Sequence, residues 1–252
     1  MKKLIGGIIL IFSYWIYPGI SYAQKQHILE LGSGVYQQNT INKLISPLTY
    51  RGMSMPINVD YRVIKSKYVM VIGGNFSLQK LTSNITNASQ HFQNEIGAEL
   101  YFGYMRKINT FSSKRFHFYA GAYHDILFTF QDQHYDQDSE EDFVNVAVSL
   151  IEAALGYRYA LNPRQTLSQN INITLVGLNF RTPYYGLRTD PNMYLEFPND
   201  NLKITHQISY AYRLGKHLSI GLRYRFLYRT YKRPFKFYSL TNHYLVTLGV
   251  HL

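Results

Sequence analysis

Cysteine is absent from all 252 residues, which excludes a disulfide framework and any lipid anchor attached through a cysteine. Long apolar runs are absent as well. Past the first two dozen residues nothing approaches the ~20 consecutive apolar positions of a membrane-spanning helix. Acidic residues are few, 15 against 26 Lys and Arg, for a formal charge of +11. Such an excess can mark a nucleic-acid or acidic-lipid partner. Here the basic residues are scattered among segments rather than gathered in a patch, and the start of the chain argues for export, so no nucleic acid is expected.

That start reads "MKKLIGGIILIFSYWIYPGISYAQ". Two lysines, an apolar run, a Pro-Gly break and Ser21-Tyr22-Ala23 have the form of a secretory signal peptide. Residues 1–23 are therefore expected to be removed, leaving 24–252 as one all-β domain and lowering the formal charge to +9 by the loss of Lys2 and Lys3. Aromatics are abundant by contrast, with 24 Tyr and 15 Phe, a load that a soluble domain of this size seldom carries.

Period two, not period 3.6, organises the rest. Alternation predicts ten strands, at 27–36, 54–64, 68–79, 92–105, 115–128, 143–160, 166–178, 202–213, 218–229 and 243–252. Each has about the 9–11 residues that a tilted strand needs to cross a bilayer. The sixth is expected to change phase at Leu150-Ile151 through a β-bulge. Connections alternate between tight (Lys65–Lys67, Leu161–Gln165, Leu214–His217, with Arg106–Lys114 moderate) and long (37–53, 80–91, 129–142, 179–201, 230–242). Short turns at one end and long loops at the other are the pattern of an outer-membrane barrel. An even strand number puts both termini on the periplasmic side.

Which row is wet follows from three features. Gly32, Gly34, Gly73, Gly97, Gly103, Gly121, Gly156, Gly221 and Gly249 fall on the polar row, with Gly74 and Gly177 as exceptions. Small residues are what a narrow interior needs between large ones. Lys203 is the lone lysine on that row, whose other charges are Asp, Glu and Arg, suited to confined pairing. On the apolar row, Tyr61, Tyr68, Phe102, Tyr104, Phe116, Phe118, Tyr157, Tyr159, Tyr210 and Tyr212 cluster at the short-turn end. Phe76, Phe92, Phe128, Phe226, Tyr228 and Tyr244 cluster toward the other. Two aromatic girdles around an aliphatic belt match two bilayer interfaces.

The whole of 24–252 thus resembles the small outer-membrane β-barrels of Gram-negative bacteria: a transmembrane antiparallel up-and-down barrel of about ten strands. Its last segment, "HYLVTLGVHL", with Tyr244, Val246, Leu248 and Val250 on one face, resembles the strand read by the outer-membrane assembly machinery, although it ends in Leu252 where Phe is commoner. The resemblance implies outer-membrane lipid and that machinery as partners, while the basic, aromatic composition of residues 229–238 suits lipopolysaccharide phosphates, acidic glycans or an envelope protein. Ten-stranded relatives of this general kind include omptin-type proteases and adhesins.

Candidate sites fall in two places. A lumen ion-pair network is expected from Glu95, Glu99, Glu152, Arg213, Arg223 and Arg225, with Tyr101, Tyr119, Tyr123 and His117 adding bulk. It can be read as a narrow pathway for ions or small solutes, or as a plug, which the mixture of bulk and opposite charges favours. A loop surface for binding is expected from Arg229, Lys232, Arg233 and Lys236 in "RTYKRPFKFY", and from Tyr184 and Tyr185, residue types common at recognition surfaces. The acidic "QDQHYDQDSEED" could gather a divalent cation, but its spacing fits no EF-hand loop and it reads as a solvated tip. No cofactor is implied. His124-Asp125 tempts as a catalytic pair, yet neighbours on a strand face opposite ways. His206 falls on the lipid row, and His243 with Ser239 lacks the rest of a triad. The Asp-Asp and Asp-His pairs of the omptins are not found. A binding element of the cell surface, or a subunit of an envelope assembly, is the first expectation, a channel the second, and a surface hydrolase the third.

Overall fold

The computed structural model describes residues 26–42, 49–83, 92–113, 115–134, 142–181, 192–232 and 236–252. The strands are β1 (Gln26–Asn42), β2 (Thr49–Ser54), β3 (Ile57–Ile64), β4 (Tyr68–Ser83), β5 (Phe92–Lys107), β6 (Phe116–His134), β7 (Asp142–Asn162), β8 (Gln165–Arg181), β9 (Asn192–Glu196), β10 (Asn201–Arg213), β11 (Leu218–Tyr231) and β12 (Phe237–His251). All pair antiparallel with their neighbours in a single sheet, and β1 pairs with β12, from Ile28↔His251 to Asn42↔Phe237, which closes the ring.

Twelve strands make ten staves. β2 and β3 both lie between β1 and β4 and form one stave, interrupted at Met55-Pro56. Proline has no N–H to give the ladder, and Ser33 Oγ donates to the Pro56 carbonyl across the gap, at 2.9 Å. β9 and β10 both follow β8 and form another, with an excursion at Phe197–Asp200. Following Cα partners once round from Ile28 returns to β1 at Thr40, a stagger of twelve residues. With ten staves that stagger implies a strand tilt of about 40° and a wall radius of roughly 10 Å, an interior that side chains can fill.

Outward-facing side chains form the apolar belt: Leu31, Ile72, Leu100, Leu155, Leu222 and Val246 are all exposed. Toward the short turns, paired aromatics border it, with Tyr68–Tyr104 centroids at 5.5 Å and the stacked Phe116–Tyr157 rings at 5.4 Å. Toward the long loops, Tyr228–Tyr238 lie at 5.4 Å. Polar side chains turn inward and are buried there.

Two expectations are corrected. Several strands run further toward the long-loop end than alternation indicated: β1 to Asn42, β4 to Ser83, β6 to His134, and β12 from Phe237. A strand that has left the apolar belt no longer needs greasy outward residues, so its pattern fades while its ladder continues. The phase change is not in β7. Val146, Val148, Leu150 and Glu152 all point inward, the three aliphatics packing on Leu127. It lies in β8, where Ile151 pairs with Val176 but Glu152 with Thr174, leaving Leu175 as the extra residue. Asn172 and Thr174 face in before the bulge, Gly177 and Asn179 after it.

Candidate functional site

Midway along the lumen the inward charges meet in one layer. Lys203 of β10 is fully buried. Its Nζ donates to Glu99 Oε1 at 2.9 Å and to Asp125, and pairs with Glu152 at 3.2 Å. From the opposite wall of Glu99, Arg225 of β11 reaches the same carboxylate with both terminal nitrogens, at 2.5 and 2.6 Å. Three acids and two bases thus tie β5, β6 and β7 to β10 and β11 across the lumen. A buried lysine is tolerable only with such compensation.

Nearer the short turns a second group is balanced. Arg223 Nη1 pairs with Asp60 at 2.7 Å and donates to Asn58 at 2.6 Å, while its Nη2 donates to Glu30. Arg62 adds bonds to Asp60 at 3.0 Å and Glu30 at 3.4 Å. Tyr101 donates its hydroxyl to Asp60 and accepts from Asn58 Nδ2 at 3.2 Å. Toward the long loops Glu95 takes hydrogen bonds from four glutamines: Gln38 at 3.1 Å, Gln79 at 2.8 Å, Gln93 at 3.3 Å and Gln131 at 2.7 Å. Glu196 accepts from Asn179 at 3.1 Å and Asn201 at 2.8 Å.

Room for these chains comes from glycine. A Cβ on Gly103 would stand 2.8 Å from Tyr123 Cε2, and one on Gly73 would stand 2.7 Å from Tyr101 Cζ. The two tyrosine rings therefore lie directly on neighbouring backbone. The layers divide the remaining space. A cavity of about 310 Å³ lies toward the short turns with Arg225 on its wall. One of about 80 Å³ lies toward the long loops with Glu99 on its wall. The Glu99–Arg225 bond stands between them.

Of the expected lumen residues, Glu99, Glu152 and Arg225 converge on the Lys203 layer, and Arg223 joins Glu30 and Asp60. Glu95 sits among amides, and Arg213 stays apart, on the wall of the larger cavity. Sequence reasoning does not identify Lys203 as the hub, although it is the lone lysine on the polar row of the ten expected strands. Of the expected loop residues, Lys232 and Lys236 are exposed. Arg229 is not on the loop surface. β11 continues to Tyr231, so alternation turns Arg229 inward, its guanidinium 5.3 Å from the Tyr231 ring and 5.7 Å from that of Phe237. Those two rings stack at 4.3 Å inside the barrel. Arg233, Tyr184 and Tyr185, and residues 135–141 of the acidic loop, lie outside the described residues.

His124 and Asp125 part as a regular strand requires. His124 faces outward with Nε2 2.8 Å from Ser149 Oγ, and Asp125 faces Lys203. His206 also faces outward, 2.6 Å from the Gln169 amide. His243 is buried edge-on to Tyr36, 4.4 Å between centroids.

No family model matches the chain, and no curated protein matches its sequence. Solved structures do resemble it. The outer membrane protease OmpT from Escherichia coli aligns with a TM-score of 0.54 at 5% identity, over 94% of this chain and 99% of that one. The translocator domain of autotransporter NalP from Neisseria meningitidis aligns with a TM-score of 0.54 at 8% identity, over 100% and 96%. At such identities the likeness is one of fold: the chain is an antiparallel up-and-down β-barrel of the outer-membrane kind.

Proposed function

We propose that the protein is exported with residues 1–23 removed and resides in the outer membrane. Its short turns and both chain ends lie in the periplasm and its long loops outside. It acts as a surface recognition element, or as a subunit of an envelope assembly, through a barrel whose lumen is closed. The observation that carries this reading is the Lys203 layer, which fills the middle of a lumen roughly 10 Å in wall radius with five charged side chains joined from wall to wall. A closed lumen excludes passage and leaves binding, from either end of the barrel, as what the protein can do. At the outer end stand the exposed Lys232 and Lys236, with Arg233 in the same loop by sequence and Tyr184 and Tyr185 in the 179–201 loop. The apolar belt suits outer-membrane lipid, the basic loops suit lipopolysaccharide phosphates or an acidic envelope protein, and the outward Tyr244, Val246 and Leu248 of β12 suit the assembly machinery.

Single-channel recording of the refolded chain in planar bilayers tests this, with silence expected once insertion is verified separately. Steady conductance steps from the wild type would overturn it. They would instead support a narrow gated channel, a reading favoured by the two cavities that meet on one ion-pair layer.

A further inference from the structure

The inward charges do not cancel layer by layer. Glu30 and Asp60 balance Arg62 and Arg223, and the mid-lumen group holds three acids against Lys203 and Arg225. Below them, Arg158 of β7 and Arg213 of β10 both line the 310 Å³ cavity. No carboxylate of the described residues lies within salt-bridge distance of either. Arg158 is within electrostatic reach of both Arg62 and Arg213, so like charges face one another across a confined space. The acids that also border this cavity, Glu30, Asp60 and Asp125, are taken by Arg62, Arg223 and Lys203.

From this geometry we infer that the short-turn cavity is a binding site for a small phosphate-bearing solute. Two unpartnered guanidiniums leave a formal charge of +2, which a phosphate monoester dianion neutralises. Guanidinium forks match phosphate oxygens two by two. The wall between them supplies neutral donors at Ser168, Asn170 and Gln207, suited to the hydroxyls of the rest of such a molecule. The approach is charged in the same sense. The four connections at this end carry Lys65, Lys67, Arg115, Arg164 and Lys216 and contain no Asp or Glu. A basic rim around a low-dielectric opening concentrates anions. Whether the lumen conducts has no bearing on the site, which lies wholly on one side of the Glu99–Arg225 bond.

The test titrates inorganic phosphate against the refolded full chain in a phosphorus-free detergent at low ionic strength, read by phosphorus NMR line width. Saturable broadening is expected. Arg158→Gln and Arg213→Gln should each weaken it at least tenfold, while Lys216→Gln, which removes one of several rim charges and no fork, should weaken it by no more than about twofold. Both arginines lack acidic partners, so their neutralisation relieves repulsion and should spare folding, which a heat-modifiability gel verifies. Arg213→Lys, which keeps the charge and loses the fork, should bind at an intermediate strength. Absence of saturable broadening in the wild type overturns the proposal. So does a loss as large in Lys216→Gln as in the cavity variants, which would place phosphate, or lipid headgroups of the same chemistry, on the rim.

Discussion

Glu99 and Arg225 stand five staves apart in a ring of ten, on opposite walls, and are joined by two bonds of 2.5 and 2.6 Å. A bidentate bond along a full diameter holds the cross-section of the barrel as well as filling it. Removing one partner strands the other charge in the interior, at about 3 kcal/mol. Glu99→Gln should therefore lower the unfolding free energy in denaturant titrations by about that amount. Adding Arg225→Gln should recover part of the loss, because the uncompensated cation goes with it. A double variant as unstable as the sum of the singles would mean that the two groups are not coupled.

Neighbours in sequence should behave as opposites at His124 and Asp125. Asp125 faces inward to Lys203 and His124 outward to Ser149. Asp125→Asn removes a charged hydrogen bond, costing about 2 kcal/mol. His124→Leu puts an aliphatic side chain on the lipid-facing wall and should change stability by no more than about 0.5 kcal/mol. Refolding into lipid vesicles, followed by denaturant titration, compares them. A larger loss for His124→Leu would contradict the facing of β6.

The facing of most strands was legible because a barrel wall has only two environments, and period-two alternation reports them directly. Legibility ended where that contrast did. Val146, Val148 and Leu150 are apolar yet inward, so β7 alone carries no sign of its phase. The signal was in β8, where the polar row runs Asn170, Asn172, Thr174 and then resumes at Gly177 and Asn179. Arg229 turns inward, against the expectation of a loop position, because β11 outruns the belt. Which acid meets which base could not be read at all. Lys203 and Glu99 are 104 residues apart, and only the twelve-residue stagger sets them level.

Tyr123 lies so close over Gly103 that a methyl group there has no room. Gly103→Ala should destabilise by about 1–3 kcal/mol, the usual cost of overpacking. The cause is identified by relief: Tyr123→Ala, itself destabilising, should make the added methyl nearly neutral. The comparison needs thermal or denaturant unfolding of all four combinations. If Gly103→Ala costs the same with and without the tyrosine ring, the glycine is required for a backbone reason instead.

Opening the lumen should be possible without changing its net charge. Glu99 borders the small cavity and Arg225 the large one, so Glu99→Ser with Arg225→Ser removes one acid, one base and the partition between the two spaces. The wild type is expected to be silent, and the double variant should show small, steady conductance steps in planar bilayers. Its ion preference follows from what remains at the constriction. Lys203 faces Asp125 and Glu152, a formal charge of −1, so cations should pass more readily than anions. Arg158 and Arg213 lie in the wider part, where mobile ions screen them over about 10 Å at moderate salt. Reversal potentials across a salt gradient read the preference directly. Adding Glu152→Gln brings the constriction to zero and should move the reversal potential toward that of a non-selective pore. A silent double variant, with insertion verified, would show that Lys203 and its two remaining carboxylates close the lumen unaided.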